Sequence, residues 1–372
     1  MQGLWIGLMS GTSLDGVDAV LTEFKQAPGQ GLQSKVIKTY TLPFSHELRE
    51  ELLSLHESGH NEIHRTALAG NQLARLYAEA VNGLLAEANI GPAQISAIGC
   101  HGQTIRHRPE LGYTIQIGNA ALLAELTSIT VVSDFRSRDI AANGQGAPLV
   151  PAFHQAVFGH PHINRTIINI GGIANLSVLN NGQENPIKII GFDSGPGNML
   201  MDAWVEMHTG KRYDESGNWA MTGQVIDRLL AALLAHEFFT LTPPKSTGRD
   251  LFNMEWLKSH LQPDDLTQDV QRTLLAFTAQ SIADAVQKHA PNTDEIYLCG
   301  GGAFNQALIQ HLRLLLHPVK IELTDVLGIN VSDVEATAFA WLARQALLKA
   351  PGNLPCVTGA HGLRILGAIY AC

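Results

Sequence analysis

Hydrophobic and polar positions along the chain repeat one arrangement twice. Residues 7–20 read GLMSGTSLDGVDAV and residues 167–179 read IINIGGIANLSVL, and in both an aliphatic segment leads into small residues before alternation resumes. This pattern predicts a strand, a glycine-centred turn and a second strand. Residues 95–105 and 295–308 also resemble each other, because each is an apolar strand that ends in glycines. The repeated order indicates an internal duplication, in which two hairpins would clamp one polyphosphate.

Helical periodicity is clearest over residues 64–88, where apolar positions recur at helical spacing. Asn119 is expected to cap a short helix that runs through Leu126. A buried strand is predicted over residues 129–133, followed by a loop rich in glycine and polar residues over 136–151.

Helical periodicity returns over residues 270–290, and a last helix is predicted over residues 333–348. A proline and glycine turn and a short apolar segment over residues 363–370 follow it. Strands that alternate with helices in this way predict an α/β protein with mixed sheets.

A chain of 372 residues is long enough to bury two cores, so two domains are expected. We place the first over residues 1–150 and the second over residues 151–372. The second domain would contain an inserted helical region near residues 205–269. The C-terminal segment would be able to pack back on the first domain.

Composition narrows the class of function. The net charge is −9 and no run of lysine or arginine is present, which argues against nucleic acid or an anionic membrane as a partner. The cysteines are scattered without metal-ligand or disulfide spacing, which favours a reducing cytoplasm. The N-terminus lacks the pattern of a secretory leader, and the apolar runs are too short for a transmembrane helix.

The glycine-centred turns are the candidate phosphate contacts, because small residues bring main-chain N–H groups close to an anion. An ordinary hairpin would explain the first turn alone, and close packing of a strand on a helix would explain the glycine triplet alone; the repetition favours nucleotide contact. No G-x-x-x-x-G-K-[ST] sequence is present, so a P-loop is not supported. The candidates for phosphate or nucleotide contact are Gly11, Thr12, Ser13, Leu14, Asp15, Gly16, Val17, Asp18, Gly171, Gly172, Gly300, Gly301 and Gly302. Asp15 or Asp18 is the candidate for orienting Mg²⁺.

Six motifs in order resemble the anhydro-N-acetylmuramic acid kinases, a branch of the sugar kinase, Hsp70 and actin superfamily. They are GLMSGTSLDGVDAV at Gly7, CHGQTIRHRP at Cys100, SDFRSRDIAANGQGAPLVPAFH at Ser133, INIGGIANL at Ile168, GFDSGPGNMLMDAW at Gly191 and CGGGAFN at Cys299. The resemblance covers nearly the whole chain. It implies two ribonuclease-H-like domains, as in actin-like ATPases, with mixed sheets flanked by helices and a ligand cleft between them.

The resemblance also implies the reaction. ATP and water would convert 1,6-anhydro-N-acetylmuramate into N-acetylmuramate 6-phosphate and ADP in peptidoglycan recycling, and the protein would be a homodimer. This chain differs from the superfamily pattern at one point that bears on metal placement. Many sugar kinases of the wider superfamily carry an aspartate just before the glycine-threonine step, where this chain has Leu8 and Met9.

Asp193 is the candidate general base, because it follows an apolar strand over residues 187–192 and precedes a helix that opens near Asn198. The anhydro sugar has no proton on O6, so the resemblance implies that Asp193 deprotonates a water that attacks C1. The Asp-Ser-Gly-Pro sequence also favours a turn. From the residues alone, an Asx turn or a helix cap at Asp193 and Ser194 is as well supported as a general base.

The loop over residues 134–139 places two arginines and two aspartates beside a glycine-rich turn. Arginine can grip the lactyl carboxylate of a muramic acid with two hydrogen bonds, and an internal network of salt bridges is the alternative. The candidates for sugar contact are Arg136, Asp134, His101 and Gln103.

Glu335 has two interpretations. Ser332-x-x-Glu335 matches a capping box at the start of the last helix, and this interpretation is ranked above a role with water or metal.

Two other functions stay open for the whole chain. One is a kinase of the same fold that acts on a hydroxyl of another amino sugar, and the other is a regulator that binds sugar or nucleotide without catalysis.

Overall fold

The computed structural model describes residues 3–11, 14–27, 31–181 and 189–372. Contacts within the chain divide it into two compact units. The first unit comprises Met1–Phe158 together with Asp333–Cys372, and the second comprises Gly159–Ser332. Thr12 and Ser13, two of the candidate ATP contacts, lie outside the described residues.

Strands and helices alternate along both units. The first unit opens with β1 (Leu4–Met9), β2 (Gly16–Ala27), β3 (Gly31–Pro43), α1 (His46–Ser54), α2 (Glu62–Ala88), β4 (Ile95–Cys100), β5 (Gln103–Arg108), β6 (Tyr113–Ile117), α3 (Ala120–Thr127), β7 (Val131–Ser133), α4 (Ser137–Ile140) and α5 (Val150–Phe158). The second unit contains β8 (Arg165–Ile170), β9 (Ile173–Leu179), β10 (Ile190–Pro196), α6 (Met199–Thr209), α7 (Asp227–Leu234), α8 (Met254–Lys258), α9 (Thr267–His289), β11 (Glu295–Cys299), α10 (Gln306–Leu315) and β12 (Lys320–Leu323). The chain then returns to the first unit with α11 (Val334–Leu347), α12 (Pro355–Thr358) and β13 (Ala368–Tyr370).

The main sheets of the two units share one topology. In the first unit the strand order is β3-β2-β1-β4-β7-β13, with β1 antiparallel to β2 and parallel to β4. In the second unit the order is β10-β9-β8-β11-β12, with β8 antiparallel to β9 and parallel to β11. In each unit, three consecutive strands pair antiparallel, and the next strand of the sheet then pairs parallel with the first of them. This is the ribonuclease-H-like arrangement. The duplicated hairpins and the α/β class with mixed sheets are therefore confirmed.

The strongly periodic helices form where the pattern predicts them. Helix α2 matches the predicted 64–88, α9 matches 270–290 and α11 matches 333–348 to within three residues at each end. The Asn119 side chain caps α3 by accepting a hydrogen bond from the Leu122 N–H at 3.0 Å. The loop expected over residues 136–151 is wrong in part, because α4 forms inside it and α5 begins before it ends.

Helix α11 belongs to the first unit, although the expected second domain contained it. It packs on β1 and β4, and each of these strands has a glycine where the helix comes closest to it. A Cβ built on Gly7 would overlap the carbonyl oxygen of Ala336, and one built on Gly99 would overlap that of Phe339. Strand β13 also pairs antiparallel with β7, so the C-terminal segment lies with the first unit. The division thus falls after Phe158 and again before Asp333, and not after residue 150.

A search of the described helices finds none that is both long enough and apolar enough to cross a membrane.

Candidate active site

The described residues of the turn that follows β1 are held by the core and by main-chain contacts. Leu14 has a φ of +57°, and its side chain and that of Val17 are buried in the core of the first unit. The Gly11 carbonyl accepts a hydrogen bond from the Leu14 N–H at 3.2 Å. A Cβ on Gly16 would overlap the Leu42 carbonyl oxygen, so Gly16 is needed for the pairing of β2 with β3. Leu14 and Val17 can therefore contact a nucleotide only through their main chain.

Buried side chains support this turn from below. Ser10 Oγ lies 2.7 Å from the Tyr77 hydroxyl and donates to the Gly102 carbonyl at 3.2 Å. The Gln103 side chain is fully buried, and its Nε2 donates to the Gly11 carbonyl at 3.2 Å. Its Oε1 has no partner among the described residues. Gln103 thus supports the turn, and its contact with sugar stays a prediction.

Two carboxylates lie at the start of β2. Asp15 is exposed, whereas Asp18 is partly buried and accepts a hydrogen bond from Thr41 Oγ1 at 2.8 Å. Burial raises the pKa of Asp18, the Thr41 bond lowers it, and the negative charge of Asp15 raises it further. A cation between these carboxylates would relieve that repulsion. Within the described ranges, no group of three or more histidine, cysteine, aspartate or glutamate side chains is arranged to hold a metal ion by itself.

The corresponding turn of the second unit leaves room for a Cβ at both of its glycines. A Cβ on Gly171 would come no closer than 3.6 Å to a neighbouring atom, and one on Gly172 no closer than 3.8 Å. Gly172 is exposed, and its carbonyl accepts a hydrogen bond from the Gly197 N–H at 2.8 Å. The main chain of this turn is therefore accessible to a ligand.

The glycine triplet after β11 divides into two kinds of residue. Gly300 has a φ of +80°, and a Cβ there would overlap Asn169, while a Cβ on Gly302 would overlap Ile170. These two glycines are explained by close packing. Gly301 is exposed, and a Cβ there would meet only Asn198 Nδ2, at 3.6 Å.

Asn198 joins the triplet to the Gly171 turn. Its Nδ2 donates to the Ile170 carbonyl at 3.3 Å, and its N–H donates to the Gly171 carbonyl at 2.8 Å. The structure thus brings two of the predicted glycine groups together within the second unit. Sequence reasoning used Asn198 only to mark a helix start, and its place after Gly-Pro-Gly was the available signal.

Asp193 lies inside β10, at an irregularity in its pairing with β9, and not at the end of a strand as expected. Its N–H donates to the Lys245 carbonyl at 3.1 Å, and its Oδ2 accepts a hydrogen bond from the Thr247 N–H at 2.9 Å. The neighbouring Ser194 hydroxyl donates to the Ala174 carbonyl at 3.1 Å. These partners are distant in sequence, so the interpretation of Asp193 as a local turn or helix cap is wrong.

The environment of Asp193 suits a proton acceptor. Burial raises its pKa to about 6, while the Thr247 hydrogen bond and the positive charge of Lys245 oppose the rise. At neutral pH the carboxyl group is therefore mostly ionised, with a pKa close to the working pH, as general bases require. Lys245 and Thr247 were missed by sequence reasoning, although the Pro243-Pro244 turn marks the start of their segment.

Arg136 is held against a neutral histidine in the first unit. Its Nε and Nη2 lie 3.2 and 2.9 Å from His101 Nε2, and its Nη1 donates to the Gly146 carbonyl at 2.8 Å. Burial lowers the pKa of His101 well below its ordinary value and the charge of Arg136 lowers it further, so Nε2 is free to accept. Burial lowers the pKa of Arg136 to about 10, opposed by the charges of Glu335 and Asp139, and the guanidinium stays charged at neutral pH. His101 thus supports Arg136, and its contact with sugar stays a prediction.

The alternative of a salt-bridge network in this loop is wrong for Asp139. This fully buried carboxylate accepts hydrogen bonds from neutral donors, namely the Gly146 N–H at 2.8 Å, Asn353 Nδ2 at 2.7 Å and Thr358 Oγ1 at 2.8 Å. It thereby ties the loop that carries Arg136 to the C-terminal segment. Asp134 is exposed with a φ of +57°, and no hydrogen-bond geometry supports its predicted contact with sugar.

Glu335 does not form the capping box that was ranked first. Helix α11 begins at Val334, and its N-cap Asp333 makes no side-chain capping bond. The Ser332 N–H, which the box would use, donates to Asn330 Oδ1 at 3.1 Å instead. The charge of Glu335 acts on Arg136, which places the carboxylate among the candidate site residues.

Comparison with known proteins agrees with this architecture. The family model described as anhydro-N-acetylmuramic acid kinase matches residues 3–372. Proteins named anhydro-N-acetylmuramic acid kinase from Nitrosomonas europaea and Thiobacillus denitrificans are 55% and 56% identical to this chain; the alignments cover 98% of this chain in both cases and 99% and 96% of those proteins. A protein of the same name from Chromobacterium violaceum is 50% identical, with full coverage of both chains. The chain therefore belongs to the anhydro-N-acetylmuramic acid kinase family.

Proposed function

We propose that this protein uses ATP and water to convert 1,6-anhydro-N-acetylmuramate into N-acetylmuramate 6-phosphate and ADP, in the recycling of peptidoglycan. Membership of the family over the whole chain supports this activity. The observation that carries the mechanism is the Asp193 carboxylate, which is largely buried and has one oxygen fixed by the Thr247 N–H.

In this reaction Asp193 is the general base toward water. The water oxygen bonds to C1 of the sugar as its proton passes to Asp193, and the bond between C1 and O6 breaks. O6 bonds to the γ-phosphorus of ATP, and ADP leaves. A positioned general base contributes about 10²- to 10⁴-fold to the rate.

We propose that the glycine turns bind the phosphates of ATP through their main chain. Gly171, Gly172 and Gly301 have space for such an approach. The turn that contains Gly11 would provide main-chain donors in the same way.

We propose that Arg136 binds the lactyl carboxylate of the sugar. His101 and Gly146 use one N–H on Nε and one on each terminal nitrogen, which leaves a further N–H on each terminal nitrogen for a ligand. Two N–H groups on one planar guanidinium match the two oxygens of a carboxylate.

The carboxylates of Asp15 and Asp18 fit Mg²⁺ that is held mainly by ATP, since Mg²⁺ in such sites takes one or two carboxylates together with phosphate oxygens. When bound, the ion would neutralise phosphate charge.

We also propose a cytoplasmic location and a homodimer. The scattered spacing of the cysteines along the chain fits a reducing compartment, and the dimer rests on family resemblance alone.

The test is turnover of ATP and 1,6-anhydro-N-acetylmuramate with Mg²⁺ in ¹⁸O-water, with mass analysis of the sugar. We expect a 6-phosphate labelled at C1. Unlabelled phosphorylation of another amino sugar would identify a kinase that acts on an ordinary hydroxyl. Tight binding without turnover of any sugar would identify a binding protein. Sedimentation measures the oligomeric state in the same preparation.

A further inference from the structure

A short segment, Lys245 to Thr247, which we call the strap, fixes Asp193 at two points. The Lys245 carbonyl accepts a hydrogen bond from the main-chain N–H of Asp193 at 3.1 Å. The Thr247 N–H donates to Asp193 Oδ2 at 2.9 Å. Both the backbone and the carboxylate of the candidate base are thereby held by the same three residues.

The strap is itself anchored through the Lys245 side chain. Lys245 Nζ donates to the Phe238 carbonyl at 3.0 Å and lies 4.3 Å from the centre of the Phe238 ring. Phe238 is only 2% exposed and packs edge to face on Phe252. A cation held by a carbonyl and an aromatic face keeps its position well, so the strap presents Thr247 to Asp193 in a defined geometry.

The Thr247 hydroxyl is left without a hydrogen-bond partner by the described part of the chain. Its Oγ1 is buried and has no hydrogen-bond partner among the described residues. Leaving a buried hydroxyl without a partner is unfavourable, so a ligand or water is expected to satisfy it. The Thr247 N–H bonds Oδ2 of Asp193, which leaves Oδ1 for a reactant.

The Thr247 hydroxyl lies near the Asp193 carboxylate, because the nitrogen of the same residue bonds one of its oxygens. Covalent geometry keeps a threonine hydroxyl oxygen within about 4 Å of its own nitrogen. The Thr247 nitrogen is 2.9 Å from Asp193 Oδ2. Two oxygens that bond the same water lie at most about 5.6 Å apart, and this distance falls within the range that the two limits allow.

We propose that Thr247 is a further catalytic residue, whose hydroxyl holds the attacking water together with Asp193 Oδ1. This inference rests on the proposed function. The water donates one proton toward Asp193 Oδ1, which takes that proton as the oxygen bonds to C1. The Thr247 hydroxyl donates a hydrogen bond to a lone pair of the water or accepts a hydrogen bond from its second O–H, and that proton stays on the oxygen that bonds C1.

One charged side chain acts on Asp193 and two more act around it. Lys245 on the strap acts on Asp193, and Lys288 and His289 at the end of α9 lie near Lys245. None of them is altered when only the Thr247 hydroxyl is removed, because the hydrogen bond to Asp193 comes from the main chain. The pH profile therefore separates loss of the hydroxyl from disturbance of the base.

The experiment measures steady-state kinetics and ¹⁸O incorporation for the full chain with ATP, Mg²⁺ and the anhydro sugar. Thr247→Val is expected to lower kcat by about 10- to 100-fold. The KM for sugar and for ATP and the acid limb of the pH profile should not move. Thr247→Ser keeps the hydroxyl and should stay within about threefold of the unmodified protein. Thr222→Val is the matched control, because that exposed hydroxyl bonds the Trp219 carbonyl.

Three results would overturn the inference. The first is an unchanged kcat in Thr247→Val. The second is a raised KM for the sugar at constant kcat, which would assign the hydroxyl to the sugar. The third is an equal loss in the valine and serine variants together with lower thermal stability, which would assign Thr247 a structural role. If the unmodified protein makes no labelled product, the proposed function itself fails, so the two failures are distinguishable.

Discussion

Replacing Asp193 with asparagine should greatly slow turnover and stabilise the protein at the same time. Burial raises the pKa of this carboxyl from 3.8 to about 6. Between these values the folded state binds the proton more tightly than the unfolded state, so the free energy of unfolding falls as pH rises from about 4 to 6. At 1.36 kcal/mol per pH unit, ionised Asp193 costs up to about 3 kcal/mol at pH 7.

Asparagine resembles the protonated form and can still accept the Thr247 hydrogen bond through its amide oxygen. Asp193→Asn should therefore raise the free energy of unfolding at pH 7 by up to about 3 kcal/mol. The rise should disappear below about pH 4, where the carboxyl of the unmodified protein is protonated in both states. Denaturant unfolding at both pH values measures this difference.

The same variant should lose about 10²- to 10⁴-fold in kcat while binding of ATP and sugar stays near normal. In the unmodified protein, kcat/KM should fall about tenfold per unit below pH 6, because only the ionised base is active. Normal turnover in Asp193→Asn, or a free energy of unfolding at pH 7 that is unchanged or lower, would refute the assignment of a raised pKa and a general base to this residue.

Three further variants test the surroundings. Gly99→Ala should destabilise the first unit by at least about 1–3 kcal/mol, measured by thermal unfolding, because the new Cβ overlaps a carbonyl of α11. Asp139→Ala should cost about 3 kcal/mol or more, because it leaves buried donors without an acceptor, and it should raise the KM for the sugar by releasing the loop of Arg136. Lys245→Met should move the acid limb of kcat/KM upward by about 0.5–1 pH unit, since the cation stabilises ionised Asp193; an unmoved limb would contradict this pairing.

Much of the fold could be predicted because it depends on local pattern. The aliphatic runs that end in glycine specify strands and tight turns by themselves, and β1 with β2 and β8 with β9 form accordingly. The periodic segments that become α2 and α9 carry enough apolar positions on one face to specify a helix. Repetition of the pattern then indicated two sheets of one topology.

The site was predicted less fully because its geometry depends on distant partners. Asp193 could be chosen from its place after an apolar run, but Thr247 lies 54 residues further along the chain and no local spacing links the two. The spacing of Ser332 and Glu335 matched a capping box, yet the Ser332 N–H donates to Asn330 Oδ1 instead. A spacing rule considers one acceptor at a time, so it does not show that a neighbouring acceptor competes for the same donor.

The sequence by itself determined the duplicated hairpins, the strongly periodic helices and the choice of Asp193 as the candidate base. Only the tertiary structure decided that α11 packs in the first unit, where Gly7 and Gly99 let its backbone approach the sheet. It also decided that the Lys245–Thr247 segment holds Asp193. The physical reason is range: secondary structure follows from interactions between near neighbours, whereas contact between distant segments depends on the shape and hydrogen-bonding groups of both surfaces.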